Sequence, residues 1–276
     1  MLATLLIVFR EVIEAGLIVG IVMAATKGVP WRGLWVGYGV AAGIVGACLV
    51  AAFAGQIAAF FEGSGQELFN AGILFLAVGM LTWHNVWMAR HGRELAAEMR
   101  RAGQAVSDGS KSLASLAVVV GVAVLREGFE VVLFLYGVVA SDPGSGWAVF
   151  GGGVIGLVLA FLTCLLTYLG LLKIPSRYLF SVTSIMIVFL AAGMAAQATA
   201  FLEQANAVTA LGTIVWDSSW LLSDSSLVGR ALHTLIGYSD QPTQMQLLVY
   251  LTTLVVICML MRGLSSPRMS QAKVTS

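Results

Sequence analysis

Two five-residue runs carry the chemistry of this chain. Residues 10–14 read Arg-Glu-Val-Ile-Glu and residues 126–130 read Arg-Glu-Gly-Phe-Glu. Both lie inside long apolar stretches. In an α-helix, residues three or four apart share a face. Glu11 therefore projects with Glu14, and Glu127 with Glu130, while Arg10 reaches Glu14 and Arg126 reaches Glu130. Where the two helices cross, four carboxylates converge. Carboxylate oxygens suit hard or borderline cations, whereas thiolates and imidazoles favour softer ones. Four Glu and two Arg sum to −2. A divalent ion neutralises that charge and a trivalent ion leaves +1, so the sum points to a multivalent cation and leaves its valence open. A clamp that only ordered the helices would need one partner per charge, and here each Arg faces two Glu. The metal-ligand set read from the spacing is Glu11, Glu14, Glu127 and Glu130, with Arg10 and Arg126 as charge partners.

The elements that position these residues are membrane helices. The chain has 276 residues, 59% hydrophobic and 11% charged, with a mean hydropathy of +0.92. Soluble domains run at about 45–50% apolar and about 25% charged, so a soluble enzyme is excluded. A formal net charge of +1 offers nothing to nucleic acid. The three cysteines, Cys48, Cys164 and Cys258, stand alone in apolar runs, without the paired spacing of a thiolate metal site. A span needs about 20 mostly apolar residues. Seven runs qualify: residues 2–25, 34–60, 68–88, 113–140, 147–172, 178–202 and 246–261. The first is no signal peptide, since it lacks a basic leader and holds Arg10, Glu11 and Glu14. Both charged motifs fall near the bilayer centre, where six ionised side chains cost about 15–20 kcal/mol before pairing. A stable fold accepts that only with pairing and a purpose.

Basic residues set the orientation. Twelve of the fifteen Lys and Arg lie in the loops after the first, third, fifth and seventh spans. The other loops hold Glu62, Glu67, Asp142, Glu203, Asp217, Asp224 and Asp240, with Arg230 alone against them. The expected placement is a multi-pass protein of the cytoplasmic (inner) membrane, N-terminus outside and C-terminus in the cytoplasm.

The two motifs are 116 residues apart, and the same offset relates Trp31 to Trp147, Gly37 to Gly153 and Cys48 to Cys164. That is a repeat signal. Each copy holds three helices, an odd number, so the halves must be inverted, with a site at their midplane interface. The third and sixth helices do not align at this offset. The expected fold is all-α and integral to the membrane: one domain over 1–276, with repeat 1 at 1–90, repeat 2 at 113–203, an extracytoplasmic loop at 204–245 and a seventh helix at 246–262. Pairs such as Gly16/Gly20 and Gly39/Gly43 let helices approach closely.

Secondary sites follow from position. Glu67 and Glu203 abut spans at the outer face, and with Asp217 and Glu62 they suit an acidic mouth that concentrates cations. His84 lies in the inner half of the third span, beside Trp83 and Asn85, as an exit ligand or a packing histidine. His91 and His233 lie in loops. The long outer loop, with Trp216, Trp220 and the apolar run 227–236, is a candidate docking surface or a lid on the membrane. The inner loop 89–112 contains a stretch, 90–105, suited to an amphipathic helix.

The doubled Arg-Glu-x-x-Glu motif in the first and fourth of seven spans resembles the oxidase-dependent iron permeases, the group of the fungal high-affinity iron permease and the bacterial Efe-type permease. The resemblance runs from about residue 5 to 262. It includes Gln66-Glu67-Leu68-Phe69, Leu81-Thr82-Trp83 with Trp87-Met88, Ala191-Ala192-Gly193, and Gly237-Tyr238 followed by Pro242. It implies high-affinity iron import, with the motif glutamates as ligands in the path and iron, Fe2+ or Fe3+, as substrate. It implies no resident cofactor. It also implies an extracytoplasmic partner: a multicopper ferroxidase, or a cupredoxin or peptidase-like lipoprotein with a haem peroxidase. Asn70 stands where bacterial relatives often carry a second glutamate, and Val-Ile and Gly-Phe stand where Gly-Leu is usual. Rival readings are a permease for lead or manganese, a plain cation channel, and a membrane carboxylate-metal oxidoreductase. The last usually combines Glu with Glu-x-x-His, and no span contains that motif. No nucleotide-binding loop occurs.

Overall fold

A computed structural model of the chain describes residues 1–60, 65–141, 146–169, 176–224 and 226–265. Among them, eight helices and no strands form: α1 (Leu2–Ala25), α2 (Arg32–Phe60), α3 (Gln66–Ser107), α4 (Ala114–Ser141), α5 (Gly146–Tyr168), α6 (Ser176–Gln204), α7 (Leu227–Ile236) and α8 (Gln244–Ser265). Five are both long and apolar enough to cross a membrane: α2, α3, α5, α6 and α8. The other two long helices, α1 with 24 residues and α4 with 28, are those that carry three charged residues each. Glu62 and Asp142 lie outside the described residues.

Burial sorts the helices into a centre and a shell. α1, α3 and α4 pack on one another in pairs, and α6 packs along α3. Their shared core holds Ile7, Leu74, Leu81, Phe134, Ile187 and Ala191. α2 and α5 lie outside and pack crosswise, α2 against α4 and α5 against α1. Both turn large apolar side chains outward, among them Phe53, 69% exposed, and Phe150, 66%. In water such a surface would aggregate, whereas in a bilayer it faces lipid.

Glycines set the spacing of the crosswise pairs. A Cβ on Gly39 would lie 2.6 Å from the Ala117 carbonyl oxygen of α4, and one on Gly43 would lie 2.7 Å from Val124 Cβ. Of the other pair, Gly16 meets the Cys164 sulfur of α5, but Gly20 faces open space. The expected result is that Gly39→Ala lowers the thermal midpoint in detergent by about 4–10 °C, the effect of about 1–3 kcal/mol of overpacking. Gly20→Ala should leave it unchanged or raise it. Equal midpoints for the two variants would contradict the tight α2–α4 contact.

α3 departs from the sequence expectation of a span followed by a separate amphipathic segment. It is one helix of 42 residues, about 63 Å long at 1.5 Å per residue and twice a bilayer core. Ala, Arg and Glu dominate residues 89–102, and no proline interrupts them. The far end stays in place because Val106 packs with Val22, Val36, Leu116 and Val120.

The segment after α6 is also more ordered than a plain loop. α7 starts at Ser226, whose hydroxyl accepts from the Gly229 amide at 2.9 Å, and ends at Gly237 in the left-handed region (φ 71°). A Cβ on Gly193 of α6 would lie 2.7 Å from the Gly237 Cα, so two of the stretches quoted for the family resemblance meet backbone to backbone. Residues 211–218 hydrogen-bond to 240–245, through Val215 N to Pro242 O (2.9 Å) and Gln244 N to Thr213 O (3.0 Å) among others. Tyr238 lies within hydrogen-bond distance of Ser218 Oγ, at 2.7 Å, and donates to the Leu222 carbonyl, at 2.8 Å.

Candidate metal centre

The seam where α1, α3 and α4 meet buries both motifs. Arg10, Glu11, Glu14, Glu127 and Glu130 are all buried. The 3.6-residue period that turns these charges inward turns Ile13 and Phe129 to other faces. On α1, Arg10 Nε lies 2.9 Å from Glu14 Oε1, and Arg10 Nη1 donates to Glu11 Oε1 at 3.4 Å. On α4, Arg126 Nε donates to Glu130 Oε1 at 3.4 Å.

His84 of α3 stands between the two motifs. Its Nε2 lies 3.2 Å from Glu14 Oε2 and 4.0 Å from Glu11 Oε2, and its Nδ1 meets Glu130 Oε2. The imidazole thus bridges carboxylates of both halves. Glu11, His84, Glu127 and Glu130 each offer a ligand atom within 4.8 Å of the others, the one such group among the described residues. An ion with bonds of about 2.0–2.2 Å spans donors up to about 4.4 Å apart. Adjacent donors on such an ion lie about 3.4 Å apart, so the set would draw inward to close on a cation.

Two features suit the group to a cation. Glu11 Oε2 and Glu127 Oε2 are buried without a hydrogen-bond partner, a rare and costly state for a carboxylate. Three carboxylates also crowd into one small volume, where their mutual repulsion is weakly screened. Three oxygens with one imidazole make a mixed donor set. Carboxylate alone suits magnesium, calcium and manganese, and an imidazole draws the preference towards iron, nickel and zinc.

Glu14, read from the spacing as a fourth ligand, lies beside this set, held by Arg10 and His84. His84, read from the sequence as an exit ligand or a packing histidine, lies at the seam between the two motifs. Asn85 Oδ1 and Thr4 Oγ1 are also buried without hydrogen-bond partners, and only the apolar surroundings in sequence could have drawn attention to them.

Among the described residues, the outer acidic side chains form no comparable set. Glu67 is exposed in the first turn of α3. Both Glu203 oxygens are engaged, Oε1 by Thr243 Oγ1 and Oε2 by Gln246 Nε2, each at 2.8 Å. This carboxylate ties α6 to the start of α8. Glu203→Gln is expected to loosen that tie and lower the thermal midpoint by a few degrees, for a loss of about 1–3 kcal/mol. Asp217 is exposed, and the Ser219 hydroxyl and amide hold its carboxyl below the usual range. Burial pushes the Asp224 carboxyl up.

Comparison with known proteins follows the same lines. The chain matches the sequence model of the iron permease FTR1 family over residues 1–266. It is 34% identical over 261 residues to the ferrous iron permease EfeU of Yersinia pestis, covering 92% of this chain and 91% of that one. To the EfeU of Yersinia pseudotuberculosis it is 34% identical over 256 residues, covering 91% and 88%. To that of Escherichia coli O6:H1 it is 31% identical over 261 residues, covering 92% and 93%. No solved structure matches the chain.

Proposed function

The chain belongs to the iron permease FTR1 family, and from that premise we propose that it carries ferrous iron inward across the cytoplasmic membrane through one site between α1, α3 and α4. It is a multi-pass transporter and not an enzyme. The observation that carries the site is the meeting of Glu11, His84, Glu127 and Glu130 within 4.8 Å in a buried seam. Ferrous iron is the ion named for the relatives, and the imidazole among oxygens suits it.

The finer architecture is part of the same proposal. α1 and α4 complete a set of seven spans, with their four glutamates turned inward. The crosswise pairing, α2 on α4 and α5 on α1, supports two inverted three-helix repeats, because exchanging the halves exchanges those pairs. The clustering of Lys and Arg supports an outer N-terminus and a cytoplasmic C-terminus. An extracytoplasmic partner would dock on the outer segment 205–243, where Trp216, Trp220 and Leu221 are exposed.

Arg10 and Arg126 pair with the motif carboxylates and yield them, in part, to the arriving metal. The test is radiolabelled iron uptake into proteoliposomes of the purified chain, offered ferrous and then ferric iron, with manganese and lead as competitors. Saturable ferrous uptake that the competitors reduce weakly is the expected result. Preferential uptake of manganese or lead would overturn the iron assignment.

A further inference from the structure

Arg10 and Arg126 hold equivalent places in the two motifs and are held differently. Arg10 is 2% exposed and clamped on Glu11 and Glu14. The Arg126 side chain is 37% exposed and meets Glu130 at 3.4 Å, longer than the 2.9 Å between Arg10 and Glu14. Its guanidinium carbon lies 4.3 Å above the ring of Trp87. Trp87 is one helical turn beyond His84 on α3, and its ring stacks on His91 at 5.1 Å. The His91 Nδ1 lies 3.1 Å from the Trp87 carbonyl oxygen.

The surroundings of the seam differ on its two sides. One turn from the site, towards the starts of α1 and α3 and the end of α4, stand Ile7, Leu81 and Phe134, all fully buried in one cluster. On the other side stand Arg126 and Trp87, both half-exposed. A guanidinium facing hydrocarbon at this depth is costly, and the Trp87 ring covers one side of Arg126. Arg126 sits at the edge of the cluster, between the Glu130 carboxylate and an aromatic face.

We propose that Trp87 is a positioning residue for transport: its ring, which the Arg126 guanidinium already touches, holds that guanidinium when a cation displaces it from Glu130. A cation at Glu130 repels Arg126, and the guanidinium then needs a stable place nearby. The π-face of a tryptophan supplies one without a competing anion. Without that face, Arg126 stays on Glu130 and competes with the metal. The inference rests on the metal site proposed above.

The experiment is anaerobic ferrous-iron binding by equilibrium dialysis to the purified full chain in detergent. Wild type, Trp87→Leu, Trp87→Phe, Arg126→Ala and the Trp87→Leu/Arg126→Ala pair are compared, each checked for a single folded species by gel filtration. Leucine keeps apolar bulk without a π-face, and phenylalanine keeps a weaker one. Trp87→Leu is expected to raise Kd about 3- to 30-fold, and Trp87→Phe by less. In the Arg126→Ala background, Trp87→Leu should change Kd less than two-fold. The same loss in both backgrounds, or no loss in either, would overturn the inference, since Trp87 would then not act through Arg126. No saturable binding by wild type would instead overturn the metal site itself, and this inference with it.

Discussion

Iron uptake by the Glu11→Ala/Glu127→Ala variant should fall at least about 100-fold while the protein reaches the membrane at near wild-type abundance. Both carboxylates belong to the cluster, and the Oε2 of each is buried without a hydrogen-bond partner. Removing them takes away two of four ligands, and even second-sphere changes around a metal typically cost about 10–100-fold. The fold loses little. Arg10 keeps Glu14 at 2.9 Å, and His84 keeps Glu14 and Glu130. Two buried charges, each costing about 2.5–3.5 kcal/mol at mid-membrane, are gone. Glu14→Ala should behave differently. It leaves Arg10 with Glu11 alone at 3.4 Å and removes a partner of His84. Breaking a buried pair in this way costs about 3–5 kcal/mol, so abundance and uptake should drop together. Quantitative immunoblotting beside radiolabelled uptake separates the two classes. Uptake by the double variant within about three-fold of wild type would refute the ligand assignment.

The second large effect is on selectivity. Replacing His84 by glutamine should lower iron uptake at least about 10-fold while lowering manganese uptake less. The imidazole is the one nitrogen donor of the set. Without it the remaining ligands are oxygens, which suit manganese or magnesium better than they suit iron. Glutamine keeps a polar side chain between Glu14 and Glu130, where a leucine would leave both carboxylates facing an apolar wall. The reading is the ratio of iron to manganese uptake in one vesicle preparation. A ratio unchanged by His84→Gln, with both rates lowered alike, would make His84 a packing residue.

Much of this centre is legible in the sequence, and the reason is cost. Charges inside apolar runs are conspicuous, so Arg10, Glu11, Glu14, Arg126, Glu127 and Glu130 declare themselves, and helical spacing pairs each Arg with the right Glu. The burial of five of these six residues, all but Arg126, and the Arg10–Glu14 and Arg126–Glu130 pairs follow that spacing. His84 was harder to place because a single histidine near a span end carries no pattern. Its part depends on α3 lying in the seam between α1 and α4, a tertiary fact. The same holds for the difference between Glu14 and Glu130. Their local motifs are alike, and only the surroundings leave Glu14 outside the four-ligand group. The length of α3 escaped for another reason. Polarity changes sharply near residue 89, which reads as the end of a span, yet helix propensity continues through Ser107 and packing with Val22 and Leu116 holds it.

The central claim is that one cation sits among Glu11, His84, Glu127 and Glu130. X-ray absorption at the iron edge, on purified protein loaded anaerobically with ferrous iron, tests it most directly. One tightly held iron per chain, with oxygen neighbours and one imidazole at about 2.0–2.2 Å, is the result this account predicts. The imidazole signature should vanish in His84→Gln, and bound iron should vanish in Glu11→Ala/Glu127→Ala. Iron bound with an unchanged spectrum in both variants would place the metal elsewhere and contradict the account.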